Sequence, residues 1–187
     1  MATKKQQNKP QHMPPDKGKA NMSKVTVAIA DTDAQRRTKL EHTLQGEQDI
    51  KVLTDVHSND TAIAGERRLK PRTDLTEFED VIARIGRLKP RILFVNLDDS
   101  TGGFALLEAL YREYPETLMV LLTDKSAKEE EMLQALAAGV RGCLDHEAAP
   151  SYFLKAVRVI DQGEVWVTRK MLGRIMDTVS HPDKRSA

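Results

Sequence analysis

The chain has 187 residues, 40 % of them apolar, and almost balanced charge, 29 basic against 28 acidic. That suits one packed domain with extra segments, and the overall charge names no partner. A single cysteine, Cys143, excludes an internal disulfide framework and fits a reducing cytoplasm; no run approaches the ~18 apolar residues of a membrane span, and no apolar core follows the basic amino terminus as in a secretory signal.

Residues 1–24 carry six lysines against one acid, Asp16, a net +5 that leaves the remainder near −4. They lack a hydrophobic period and read as a disordered basic tail. Order is expected to begin at "KVTVAIAD", apolar enough for a strand buried on both faces. A helix follows over 34–45 with Asp33 as N-cap, then a strand over 50–56. Residues 57–75 are polar and basic around Pro71 and read as an inserted loop. "TEFEDVIARIGRL" spaces Phe78, Val81, Ile82, Ile85 and Leu88 as an amphipathic helix that stops before Pro90. "RILFVNL" is a strand, "GFALLEALYREYP" a helix and "TLMVLLT" a strand.

"SAKEEEMLQALAAG" is a helix, with Ser126 and Glu129 at capping-box spacing and Gly139 as its stop. "VRGCLD" is the last central strand. "PSYFLKAVRVIDQG" is a helix with Pro150 in its first turn. "EVWV" is short and extended, and "TRKMLGRIMDTVS" is a closing amphipathic helix. Strand and helix therefore alternate five times, which predicts a doubly wound α/β fold, a parallel sheet with helices on both faces. Chemistry in such sheets lies beyond the carboxyl ends of the strands. That rule selects Asp31, Thr32, Asp33, Asn96, Asp98, Thr123, Asp145 and His146.

In this order "IADTD", "LKPRILFVNL", "VLLTDKS", "ALAAGVRGCL" and "VRVIDQGEVW" make residues 25–167 resemble the receiver (CheY-like) domain of two-component response regulators, in the NarL/FixJ (LuxR-type) branch. The resemblance implies a five-stranded, flavodoxin-like receiver over 25–163, followed by a linker strand, helix and tail over 164–187. In the family, acids ending strand one hold Mg²⁺, an aspartate ending strand three accepts phosphate, and a Thr/Ser and a Lys read it. Carried over, the first acid is Asp31, the second acid position holds Thr32, and the acceptor position is Asn96, six residues after Pro90. The hydroxyl falls on Thr123, the switch aromatic on Cys143, and the lysine on His146, four residues after Gly142. Four of these six positions depart from the pattern. Asn96 has a neutral amide and forms no acyl phosphate. With one acid of three left, no metal cofactor is expected, because Mg²⁺ takes carboxylate and water oxygens in octahedral geometry.

Asp31, Asp33 and Asp98 form an alternative, displaced acidic set. An acceptor at Asp98, however, leaves only four residues before Gly103, a shorter loop than the family's. The plainer readings are that Asp33 caps a helix, Thr123 bonds the backbone and His146 is a surface histidine. The five histidines have no metal-ligand spacing. Only 21 residues follow Trp166, too few for the helix-turn-helix module of full-length members, so specific DNA reading is not expected. Nucleic-acid association through the basic tail would be sequence-blind and salt-sensitive. The resulting expectation is a phosphorylation-independent, receiver-like regulatory protein that is not an enzyme. It would bind a protein partner, or a second copy as a homodimer, through Met132, Tyr152 and Phe153 on the helices after strands four and five. The alternatives are a stand-alone response regulator phosphorylated at Asp98 and a nucleic-acid-associated protein.

Overall fold

The computed structural model describes residues 23–54, 77–97 and 103–180. The 57–75 insertion, Asp98 and the tail up to residue 22 lie outside them. Eleven elements follow one another: β1 (Val25–Ala30), α1 (Ala34–Gln45), β2 (Ile50–Val52), α2 (Glu77–Leu88), β3 (Ile92–Asn96), α3 (Phe104–Glu113), β4 (Leu118–Thr123), α4 (Glu129–Ala137), β5 (Gly142–Asp145), α5 (Pro150–Asp161) and α6 (Arg169–Ser180). The strands form one parallel sheet in the order β2-β1-β3-β4-β5.

Period-two alternation along the strands explains the two layers of helices. Val27, Ile29, Ile92 and Phe94 point to one face and pack with Leu40 and Leu44 of α1 and with Phe153, Val157 and Ile160 of α5. Their neighbours Ala28, Ala30, Leu93 and Val95 point to the other face. There they meet Ile85 of α2, Leu106, Leu107 and Leu110 of α3, and Ala135 of α4. Each fully buried Val, Leu, Ile or Phe side chain among them contributes about 1.5–3 kcal/mol from burial. Both strand faces are thus apolar, as a parallel sheet covered on both sides requires.

Several sequence expectations need correction. β2 is three residues long, and Leu53 and Thr54 lie outside it, although Leu53 N still donates to Val27 O at 2.7 Å; residues 55–56 of the expected strand lie outside the described residues. α4 starts at Glu129, and the Ser126–Glu129 capping box does not form. A turn closed by Ala127 N on Asp124 O at 3.1 Å takes up the preceding residues, and Lys128 becomes the N-cap without a side-chain bond. Glu129, Glu130 and Glu131 fill the first turn instead, where the helix dipole favours acids. Gly139 does end the helix. Its φ of +95° is left-handed, and a Cβ there would stand 2.4 Å from a ring carbon of Tyr111.

The carboxy-terminal segment packs on the body. Trp166 forms an isolated parallel bridge with Gly142, with Trp166 N donating to Arg141 O at 2.8 Å and Cys143 N to Trp166 O at 3.1 Å. A Cβ on Gly142 would come within 2.8 Å of Trp166 Cβ. Met171 of α6 is buried.

Candidate functional site: the carboxyl edge of the sheet

Because the strands are parallel and in register, their carboxyl ends form a single edge. Asp31 directly follows β1, Asn96 ends β3, Thr123 ends β4 and Asp145 ends β5. The pairs Ala30↔Val95, Asn96↔Leu122 and Thr123↔Asp145 set their levels. The edge carries two clefts. One, of about 670 Å³, is lined by Asp31, Arg36, Lys125, Asp145, His146 and Phe153, among others. The other, of about 430 Å³, is lined by residues including Asn96, Thr123, Phe104, Lys128 and Glu131. The predicted residues therefore share an edge but divide between the two hollows.

Asp31 is the most firmly held member. Its side chain is 1 % exposed. Asp33 N donates to Oδ1 at 2.9 Å, and Arg36 closes a fork on the carboxylate, Nη2 to Oδ1 at 2.9 Å and Nε to Oδ2 at 3.1 Å. Such two-point pairs are the strong, directional form of the ion pair. Arg37 Nη1 also donates to the Asp31 carbonyl at 2.6 Å.

Sequence reasoning missed Arg36, although a signal was present. The first turn of α1 contains no acid and two arginines, the wrong sign for a helix N-terminus. Asp31 and Asp33 supply the missing negative charge. Asp33 performs the predicted capping, accepting from Gln35 N at 2.8 Å and Arg36 N at 3.0 Å. The Arg36 N–H bond is the largest cause holding the Asp33 carboxyl below its ordinary value.

The remaining predicted residues are accounted for singly. Thr32 is exposed and Asn96 half-buried. Thr123 Oγ1 donates to Leu144 O at 3.3 Å, the plain backbone role. His146 N donates to Thr123 O at 2.9 Å, and its imidazole is pushed below its ordinary value, first by burial and then by the charge of Arg36. A neutral imidazole is no substitute for a phosphate-reading lysine. The Cys143 thiol is pushed up to about 12 by burial, which disfavours the reactive thiolate at neutral pH. Lys125, also missed, brings an ammonium to the first cleft but pairs with Glu147.

Of the proposed partner-face residues, Tyr152 is 51 % exposed, with its ring edge-on to Trp166 at 6.3 Å. Met132 is half-buried. Phe153 needs correction: it is 5 % exposed and stacks edge-on against Phe94 at 6.1 Å, so it belongs to the core and offers a partner nothing.

The donor set does not fit the Mg²⁺ that the fold implies. Inner-sphere binding needs free carboxylate oxygens, and both Asp31 oxygens already accept from Arg36. Thr32 and Asn96 bring no second or third carboxylate. The described residues contain no group of three or more His, Cys, Asp or Glu arranged to hold a metal ion. No described helix is long and apolar enough to cross a membrane.

No family model and no curated protein matches the sequence. Solved structures do match its fold. The isolated receiver domain of RcsB from Salmonella enterica serovar Typhimurium, in its apo form, superposes with a TM-score of 0.62 at 16 % identity, over 82 % of this chain and 98 % of that one. A LuxR-family two-component response regulator from Aurantimonas sp. SI85-9A1 gives 0.63 at 13 % identity, over 84 % and 99 %. The signal receiver domain of NarL from Mycobacterium tuberculosis gives 0.55 at 17 % identity, over 76 % and 99 %. The chain thus has the receiver fold of LuxR/NarL-type response regulators, with the five-stranded order those proteins share.

Proposed function

We propose that this chain is a receiver-like regulatory module that acts by protein–protein contact, without an aspartyl phosphate and without catalysing a reaction of its own. The observation that carries this reading is the Arg36 fork on Asp31. A tethered guanidinium holds the carboxylate that would otherwise ligate a divalent cation. Asn96 at the end of β3 supplies an amide, which does not attack a phosphoryl donor as a carboxylate does. The five strands and their covering helices are retained around them, as a module that works by shape without phosphate chemistry requires. Tyr152, exposed on α5 beside Trp166, is the side chain we assign to the partner surface.

The test is to incubate the full chain with acetyl phosphate and Mg²⁺ and weigh it intact. The expected outcome is an unchanged mass, and the same for Asn96→Asp, because that change leaves the Arg36 fork, Thr32 and a neutral His146 in place. A gained phosphoryl group on the wild type would overturn the reading. If peptide mapping then put the group on Asp98, the chain would be a phosphorylatable response regulator.

A further inference from the structure

Six large apolar side chains are exposed among the described residues, and three of them, Leu172, Met176 and Val179, lie on α6 at 48 %, 57 % and 72 % exposure. Their spacing of four and three residues places them in one stripe along the helix. The stripe is presented rigidly. Thr168 Oγ1 accepts from Met171 N at 3.2 Å at the start of the helix. Lys170 Nζ lies 2.9 Å from Glu129 Oε2, and Arg174 Nη1 lies 3.2 Å from the same oxygen and 3.4 Å from Glu130 Oε1. Met171 is the buried anchor. These contacts spend the inner face of α6 on α4 and leave the stripe facing outward.

We infer that α6 pairs antiparallel with α6 of a second copy of this chain, crossing at Gly173, to form a weak two-fold dimer. Two structural features choose that occupant. Gly173 adjoins the stripe, and a Cβ added there would meet nothing within 4 Å, so a second helix backbone can approach closely. Arg169 and Asp177 stand four residues to either side of Gly173, are exposed, and take no part in the Glu129 clasp. An antiparallel copy crossing at Gly173 sets Arg169 of each chain against Asp177 of the other. One face thus provides two opposite-charge pairs, the self-complementarity that a two-fold contact needs.

The dimer is weak because of its size. Twelve residues span roughly 18 Å and cover well under the ~800 Å² per partner of a standard stable interface. Association therefore depends on concentration and is transient. The inference is independent of whether the chain accepts phosphate.

Sedimentation velocity on the full chain across a concentration series tests it, with far-UV circular dichroism to verify folding of each variant. The wild type should show a sedimentation coefficient that climbs with concentration. Met176→Glu, which would bury a carboxylate in the seam, should weaken association about tenfold or more. Arg169→Asp should weaken it, and Arg169→Asp with Asp177→Arg should restore it, since the pairs are re-formed with reversed signs. A wild type that stays monomeric throughout overturns the inference. So does a folded Met176→Glu variant that associates like the wild type, or a double variant that fails to recover. Binding of α6 to anionic phospholipid vesicles in place of self-association would assign the stripe to a membrane surface and equally overturn it.

Discussion

Two ion pairs stand on the same edge of the sheet and differ in everything that sets their strength. Asp31–Arg36 joins a carboxylate with 1 % exposure to a half-covered guanidinium through two hydrogen bonds. Lys125–Glu147 joins side chains that are 74 % and 68 % exposed. Water screens the second pair and leaves its long side chains their freedom, so it contributes little. The first is shielded and fixed, and removing one partner strands the other. A charge pattern in sequence does not distinguish them. Burial does, and it makes the β1 end of the edge a closed electrostatic unit while the β4–β5 end stays adjustable.

The largest effect that would break or sharpen this contrast comes from Arg36→Ala. It leaves the Asp31 carboxylate buried with the Asp33 N–H as its remaining bond, and should lower the unfolding free energy by about 3 kcal/mol. That is the lower end for a broken buried pair, because the arginine side is partly solvated. Urea unfolding measures it. A loss under about 0.5 kcal/mol would put the pair in the surface class and erase the distinction. Next comes His146, which shares a cleft with Arg36, Asp31, Asp124 and Asp145. Its folded value is depressed by burial. The stability gained by keeping it neutral is therefore complete above its unfolded value, about 6.5, and is lost as pH falls toward the folded one. His146→Asn should flatten the decline of the urea midpoint between about pH 7 and 5; a wild-type curve already flat there would contradict the assigned burial. The smallest change is Lys125→Ala, expected to leave the urea midpoint unchanged within error in the same titration, since both partners are solvent-exposed.

What could be read from sequence follows the range of the forces involved. Strand–helix alternation, the Asp33 cap, the α1 boundaries and Pro150 at the start of α5 are local, and the residues announce them. The Arg36 fork was missed because Asp31 lies outside the helix, and only the turn through Asp33 brings the two together. The Ser126–Glu129 box failed because a competing turn at Asp124–Ala127 claimed the same backbone. Phe153 is a partner-face candidate from its position on α5, but its register points it at Phe94 across the sheet face. Lys125 is not announced by the strand-five position, because it reaches the cleft from the turn after β4.

The bridge between Gly142 and Trp166 has a practical side as well. The chain contains a single tryptophan, and it lies where β5, Tyr152 and the approach to α6 converge. Its ultraviolet emission is therefore an intrinsic, label-free gauge of anything that pries the carboxy-terminal segment from the sheet margin. With its backbone lodged alongside the start of β5, the tryptophan also takes up the Arg141 carbonyl and the Cys143 N–H that a foreign strand would otherwise pair with there.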